Sequence, residues 1–577
     1  MATAPLTDRM ESTPRRLDGA ALVRWARAPH LLLLAACGIL FFYGVSAGEL
    51  YRTETLRAII ARTMLETGNW IVPTLYGEAF VTKPPGMYIA IALLSWPFGA
   101  VSEWTARLPS ALAATATVML FFWYLSRSLG RRGGLVAALI LPMSLLWLDK
   151  APSAEIDMLQ TFWVCASILF FLRALECEEA EPASGAGAAA GHALTSAWRW
   201  WLLALLCVAG GFLTKWTAPA FFYATAIPLL CWRRRLHLLL RKRHLVAASL
   251  AATLCLGWMA AVVQQLGWTP FWGTVSREAL LRLAPGYERP YPWLESLLHP
   301  FKLWGIMLPW SALALMALLP GFADLWDERG RRLLQALHCW LWPNILIWSL
   351  MSEHTPRHSM PCLPAIAGLA AMAWVAWHAG KLTGPAWYAR LLSRWTKTRP
   401  NADPGSWPCS VIVAALLLWL VVKAVHVHAV VPQRTAERRT REKAALLASL
   451  VPAGNVLHIL RIKDEGILFY YGRPVRRLAS PKGAPRPAEG AYLLLTAAEW
   501  GAFPHEARVV RFMTDAQGDP IVLVQAATPR RKAQRAADPD LRPDAPPLPG
   551  VRGPVAGGSR NAVGDDEDQH AVRRRHD

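Results

Sequence analysis

The sequence predicts an α-helical polytopic membrane protein that carries a small α/β extramembrane domain near its C-terminal end. Three observations lead there. Of the 577 residues, 54% are hydrophobic and only 18% charged, whereas roughly a quarter is charged in soluble domains. The apolar residues are gathered into blocks of about 17–22, long enough to cross hydrocarbon. Basic residues cluster in the short loops between those blocks, as cytoplasmic loops do. The net charge of +21 therefore reads as membrane topology, and no nucleic-acid partner is expected.

Residues 1–29 form a basic leader with Arg9, Arg15, Arg16, Arg24 and Arg27. The apolar stretch His30–Val45 lacks a small-residue cleavage site, so it reads as a retained first helix. Further apolar segments run over 84–100, 105–125, 133–148, 156–174, 199–213, 216–231, 244–264, 303–320, 334–350, 359–379 and 409–427, several with Trp near their ends, as interfacial anchoring requires. The basic loops at Arg127–Arg132, Arg233–Arg243 and Lys381–Arg399 should share the cytoplasmic face with the leader. They do so only if one of the segments 84–100 and 105–125 fails to cross. Segment 84–100, which opens Pro84-Pro85 and contains Trp96-Pro97, is the better candidate. This leaves about eleven crossings in a membrane unit spanning 30–430, and puts the C-terminal domain outside. The SGAGAAAG run in the loop 176–198 is low-complexity linker, not a phosphate-binding loop. From 431 to 527, an amphipathic helix and short apolar runs separated by turn residues suit a small external α/β domain. Residues 528–577 are dominated by Pro, Gly, Arg and Asp and read as a disordered tail. The nine cysteines show no CxxC or CxxH spacing, and all but Cys177 lie in or beside apolar spans, where packing is their expected role.

Polar residues with a function in such a protein gather where it meets water or lines a cavity. Two acidic stretches fall on the outer face, Glu49 to Glu54 and Glu155 to Asp157. Converging carboxylates can serve as a general base or bind a divalent cation. Alternatively, Glu155 and Asp157 simply favour the N-terminus of the helix that follows. Cations on the same face include Lys83, Lys150, Lys215 and Arg357. Lys215 interrupts the apolar run GGFLTKWTAPAFF and needs a partner, for which an anionic phosphate is suited; interfacial snorkelling is the bland alternative. His354 and His358 sit four apart beside Pro356, a weak zinc pattern.

The stretch TETLRAIIARTMLETGNWIVPTLYGEAFVTKPPGMY, followed by FGAVSEWTARLPSALAA, LGRRGGLVAALIL and SAEIDMLQTFW, resembles the superfamily of protein O-mannosyltransferases and bacterial aminoarabinose–lipid A transferases. GGFLTKWTAP and HTPRHSMPCLPAIAGLAA look like later segments of it. The resemblance implies a GT-C fold with about 11–13 transmembrane helices plus juxtamembrane helices. It also implies an inverting glycosyltransferase at the outer face of the inner membrane. Such an enzyme moves a sugar from a polyprenyl-phosphate donor to a lipid, glycan or protein acceptor. A carboxylate of the first external loop would activate the acceptor. Where the family has an Asp-Glu pair this sequence has Thr53 and Glu54, and Thr82 replaces the acid that usually precedes the lysine of the KPP motif. Glu54, Glu49 and Asp157 are thus the implied catalytic residues. Lys83, Lys215, Arg357, Tyr88 and Glu155 are the implied substrate contacts. A divalent cation, Mg or Zn, would be held through Asp157. Two other readings compete with the enzyme: a non-catalytic relative that only binds polyprenyl phosphate, and a lipid or sugar transporter, for which no internal repeat is visible.

Overall fold

The computed structural model describes residues 28–180, 188–284, 287, 290–352, 355–379, 381–382, 407–462, 465–478, 487–503 and 506–527. Most of the leader, the first half of the SGAGAAAG run, His354, the cations from Arg390 to Arg399 and the 528–577 tail lie outside them, whereas the AAAG half of that run, expected to be linker, opens the helix Ala188–Phe212. Among the described residues, five helices are long and apolar enough to cross a membrane: Glu103–Ile140, Ile156–Glu179, Lys242–Leu266, Pro356–His378 and Ile412–Leu450. Trp293–Ile306 and Trp310–Leu318 are apolar enough only as a pair, bent by 102° as in a broken span or a re-entrant loop, where the sequence suggests one straight crossing at 303–320. Shorter apolar helices complete the bundle, including Pro29–Phe42, Ser196–Phe212 and Ala218–Trp232.

Opposite faces of the bundle are identified by their charges. The helix Ile156–Glu179 has 24 residues, about 36 Å at 1.5 Å per residue. At its C-terminal end Glu178 pairs with Arg241 and Arg243, and Glu179 with Arg233 and Arg332. Arg127 reaches the neighbouring Glu176 at 3.6 Å. The basic loops around Arg127 and Arg233–Arg243 therefore do share one face. Glu155 and Asp157 lie at the other end of the same helix.

Glu103–Ile140 is two helices joined at Gly130, whose φ of 70° and ψ of 169° are not helical. The chain doubles back there closely enough that a Cβ on Gly134 would stand 2.1 Å from the Ser126 hydroxyl. Segment 84–100 folds as the ten-residue helix Gly86–Ser95 with a 3-10 turn at Trp96–Phe98. At about 15 Å that helix is half the hydrocarbon thickness. It starts beside Lys83 and ends beside Glu103, both on the carboxylate face, so it does not cross.

A two-stranded antiparallel ribbon pairs β1 at Thr74–Leu75 with β2 at Glu78–Ala79. The carboxylate face is roofed by a five-stranded sheet of β3 at Leu457–Ile459, β4 at Val475–Arg477, β5 at Tyr492–Thr496, β6 at Ala507–Thr514 and β7 at Pro520–Ala526, in the order β4-β3-β5-β7-β6. The pairs β3–β4 and β3–β5 are parallel, and the others antiparallel. The alternation of Leu493, Leu495, Val522 and Val524 against Leu494, Ile521 and Leu523 gives both sheet faces an apolar covering. One of these faces joins a core with Leu56, Ile60 and Met64 of the helix Thr53–Thr67 and Tyr88 and Ile91 of Gly86–Ser95. The sheet is thus packed on the juxtamembrane helices. Polar contacts reinforce it: Tyr470 Oη donates to Glu103 at 3.0 Å and accepts from the Leu50 N–H at 2.8 Å, and Arg62 donates to the Phe469 carbonyl at 3.0 Å.

Candidate active site

The turn Pro84-Pro85-Gly86 brings the KPP segment against the end of the Ser196–Phe212 helix. Gly86 N–H donates to the Leu213 carbonyl at 2.7 Å. A Cβ at position 86 would meet that same oxygen at 2.7 Å, closer than any carbon tolerates, so only glycine fits. Trp216 Nε1 then donates to the Thr82 carbonyl at 3.1 Å. Lys83 and Lys215 are placed in neighbouring turns by these backbone contacts.

Lys215 is buried and bonds Asp157 Oδ1 at 2.8 Å, both side chains being nearly inaccessible. Glu155, one turn-start away, takes Lys150 at 3.0 Å on Oε1 and has Arg357 at 3.6 Å from Oε2. Although Glu155 occupies the N-cap position of its helix, its side chain makes no capping bond, so simple capping does not explain it. Its Oε2 makes no hydrogen bond. Burial pushes the Glu155 carboxyl above the usual carboxylate range; the Asp157 charge adds to this, and Lys150, Arg57 and Arg357 work against it. Other buried polar atoms without a hydrogen bond stand nearby in sequence and fold, among them Arg57 Nε, Thr82 Oγ1 and Gln160 Oε1. Groups of this kind are costly to bury unless something binds them.

Glu54 and Glu49 are held differently. Arg107 grips Glu54 with two parallel bonds of 2.9 and 3.0 Å, and the N–H groups of Ala154 and Tyr51 add bonds at 2.9 and 3.3 Å. The same guanidinium donates to the carbonyls of Val45, Ala47 and Glu49. Burial alone would raise the Glu54 carboxyl, but Arg107 and these hydrogen bonds outweigh it and hold it below the usual range. The residue before this helix start, Arg52, has φ 49° and ψ −122°, a conformation that costs about 1–3 kcal/mol for a non-glycine residue. The Glu49 carboxylate accepts from the N–H groups of Thr440 and Arg441 at 3.1 and 2.9 Å. It thereby caps the helix Thr440–Leu450, which has no cap from its own chain end. Both implied bases have their oxygens committed to hydrogen bonds, Glu54 within the loop after the first helix and its neighbours, and Glu49 to the helix Thr440–Leu450.

Lys83 is buried and pairs with Glu278 at 3.2 Å, which also binds Arg282 at 3.1 Å. Glu278 lies on the helix Trp268–Leu283, in a loop whose sequence carries no recognisable pattern. Tyr88 is buried edge-on to Phe80, the ring centroids 6.5 Å apart. Glu155, Asp157, Lys215 and Arg357 thus converge, while Lys83 and Tyr88 adjoin through the KPP turn. The expected cation fits poorly: among the described residues no three His, Cys, Asp or Glu side chains gather around a common point, and the Lys215 ammonium already neutralises Asp157. Lys150, named among the outer-face cations from sequence, joins the site, as do Arg57 and Glu278, which were not singled out. Lys150 had a legible signal in its spacing from Glu155; Glu278 had none.

Residues 82–197 match the dolichyl-phosphate-mannose-protein mannosyltransferase family. Among curated proteins, the undecaprenyl phosphate-α-4-amino-4-deoxy-L-arabinose arabinosyl transferase of Erwinia tasmaniensis is 26% identical over 54% of this chain and 53% of its own length. The protein of that name from Pseudomonas savastanoi pv. phaseolicola is 29% identical over 61% and 60%. This chain therefore spans about half the length of the curated relatives it matches. Among solved structures, ArnT from Cupriavidus metallidurans bound to undecaprenyl phosphate aligns with a TM-score of 0.62 at 17% identity, covering 87% of this chain and 99% of that one. The apo form of the same protein gives 0.62 at 16%, covering 89% and 100%. The chain thus shares the fold of these ArnT structures and is similar in sequence, over residues 82–197, to the mannosyltransferase family.

Proposed function

We propose that the chain is an inverting glycosyltransferase of a bacterial-type inner membrane. It takes a sugar from a polyprenyl-phosphate donor and transfers it, on the external face, to a lipid acceptor; glycan and protein acceptors are less in keeping with its relatives. The observation that carries this reading is the buried group of Glu155 and Asp157 among Lys150, Lys215 and Arg357, beside Lys83. Cations at a leaflet boundary suit a lipid phosphate, and a carboxylate with an oxygen that makes no hydrogen bond suits a proton acceptor. The face opposite the basic loops is the outer one by the positive-inside rule. The related structure with undecaprenyl phosphate supports the same donor class.

In the proposed reaction the acceptor oxygen forms its bond to the anomeric carbon as the bond from that carbon to the phosphate oxygen breaks. The acceptor proton passes to Glu155 Oε2, and the departing phosphate stays on its polyprenyl chain, where Lys83 and Arg357 offset the charge. Donor binding must draw Lys83 away from Glu278. Glu54 and Glu49 position the loop that bears Thr53, and Asp157 orients Lys215. Transfer of radiolabelled sugar from undecaprenyl-phosphate donors by the purified chain in lipid nanodiscs tests the reading. Wild type should transfer, and Lys83→Ala should weaken donor binding by about 1.5–3 kcal/mol. Saturable binding of undecaprenyl phosphate with no transfer from any donor would instead establish the lipid-binding reading, which the replacement of the family's aspartate by Thr53 favours.

A further inference from the structure

A cavity of about 280 Å³ lies between the first external loop, residues 149–155 and the last long helix. The charges lining it do not cancel. Arg107 is neutralised by Glu54, and Lys150 by Glu155 and Asp149. Glu49 is held by two backbone N–H groups but keeps its charge, so the carboxylates Glu49, Glu54, Asp149 and Glu155 face the cations Arg52, Arg107, Lys150, Lys423, Arg434 and Arg438, leaving two positive charges in excess. No hydrogen bond or ion pair joins Lys423, Arg434 or Arg438 to another described residue. Arg438 has only the Tyr51 ring, 3.5 Å beneath its guanidinium. Lys423 is 2% exposed, on a helix that is otherwise apolar for most of its length. A buried ammonium at that depth is expensive and marks a site where an anion or water-filled space receives it.

We propose that this cavity binds the phosphate headgroup of an anionic phospholipid from the surrounding leaflet, separate from the donor phosphate at Lys83. An excess of two positive charges, with Lys423, Arg434 and Arg438 outside any ion pair among the described residues and two of these three being guanidinium groups suited to paired bonds with phosphate oxygens, matches such a headgroup. The volume holds a glycerophosphate but no acyl chains. These have a path outside, along Leu417, Leu418, Val421 and Val425, which are all more than half exposed on the same helix. A soluble phosphate would share the chemistry but has no use for that apolar flank. When bound, the lipid ties the last helix to the loops that carry Glu54 and Glu155.

The test uses the full chain in nanodiscs of phosphatidylcholine with increasing phosphatidylglycerol, read by thermal unfolding and by native mass spectrometry of retained lipid. Phosphatidylglycerol should be retained at least tenfold over phosphatidylcholine and should raise the unfolding temperature. Lys423→Met and the exposed Arg434→Gln should each reduce retention about tenfold, with Lys423→Arg restoring it. Undecaprenyl phosphate binding, measured separately, should respond to Lys83→Ala and not to Arg434→Gln. Equal retention of the two phospholipids, or retention unchanged in both Lys423→Met and Arg434→Gln, overturns the proposal. So does an inorganic phosphate that matches the lipid's stabilising effect, or a donor whose binding depends on Lys423 and Arg434.

Discussion

At the scale of single residues, the carboxylates divide by what their oxygens already hold. Glu155 has one oxygen without a hydrogen bond and Glu54 has none. If Glu155 is the base, Glu155→Gln should lower turnover by roughly 10²–10⁴ with little change in donor binding. The wild-type rate should fall as pH drops through the Glu155 pKa. Because burial raises that value, this acid limb should lie above the ordinary glutamate range near ~4.3, and it should be missing from any residual rate of the variant. Glu54 has the opposite sign. Its folded pKa is depressed, so its contribution to stability is complete above the unfolded value and disappears as pH falls through the folded one. Glu54→Gln leaves Arg107 buried without its counter-ion and should cost about 3–5 kcal/mol, seen as a lower unfolding temperature at neutral pH. An unchanged unfolding temperature would show that Arg107 finds other partners. The sequence reading makes Glu54 a catalytic residue and Glu155 a substrate contact, whereas the roles proposed here make Glu155 the base and leave Glu54 to position its loop. Their difference comes from Arg107, 53 residues from Glu54 in the chain, and a single sequence carries no record of such pairings. Lys423 was legible by the same rule that picked out Lys215, a lysine inside an apolar run, but it sits in a segment that looked like an ordinary final crossing.

Elements explain how the site is held and how it opens. The Thr440–Leu450 helix begins at Arg439, in left-handed geometry at φ 51°, and borrows its cap from Glu49 in the first loop. Glu49→Ala should therefore cost about 0.5–2 kcal/mol and loosen the sheet from the membrane unit. Faster amide exchange in residues 440–450 would report this, whereas unchanged exchange would mean the apolar packing alone docks the sheet. The Trp268–Leu283 helix carries Glu278 to Lys83. Removing that competitor with Glu278→Gln should tighten undecaprenyl phosphate binding on the order of tenfold, or about 1.4 kcal/mol; no change would mean that Lys83 does not contact the donor. Apolar periodicity located most of these helices and the strands β3, β5, β6 and β7. It could not show the break at Gly130 or the 102° bend, because hydropathy reports where a chain is buried and not where it turns.

For the whole molecule, the parity of the basic loops was the most informative feature of the sequence, since it required one of the segments 84–100 and 105–125 not to cross, and the prolines of 84–100 pointed to that segment. Reporter fusions after residue 130 and residue 450 should report cytoplasmic and external positions respectively, and the reverse at either site would invert the assignment of faces. The Ile156–Glu179 helix has a further consequence. Charged clusters fasten both of its ends, Glu155 and Asp157 to Lys150 and Lys215 at one, Glu178 and Glu179 to four arginines at the other. A helix fastened in this way cannot tilt freely to suit its surroundings, so the lipid must adapt to the protein. Mismatch of that kind costs fractions of a kcal/mol per Å, and here the load falls directly on the Glu155 and Lys215 contacts. Turnover in bilayers of graded acyl length should consequently peak at one thickness and fall off on both sides, while a flat profile would show that the two charged ends move independently.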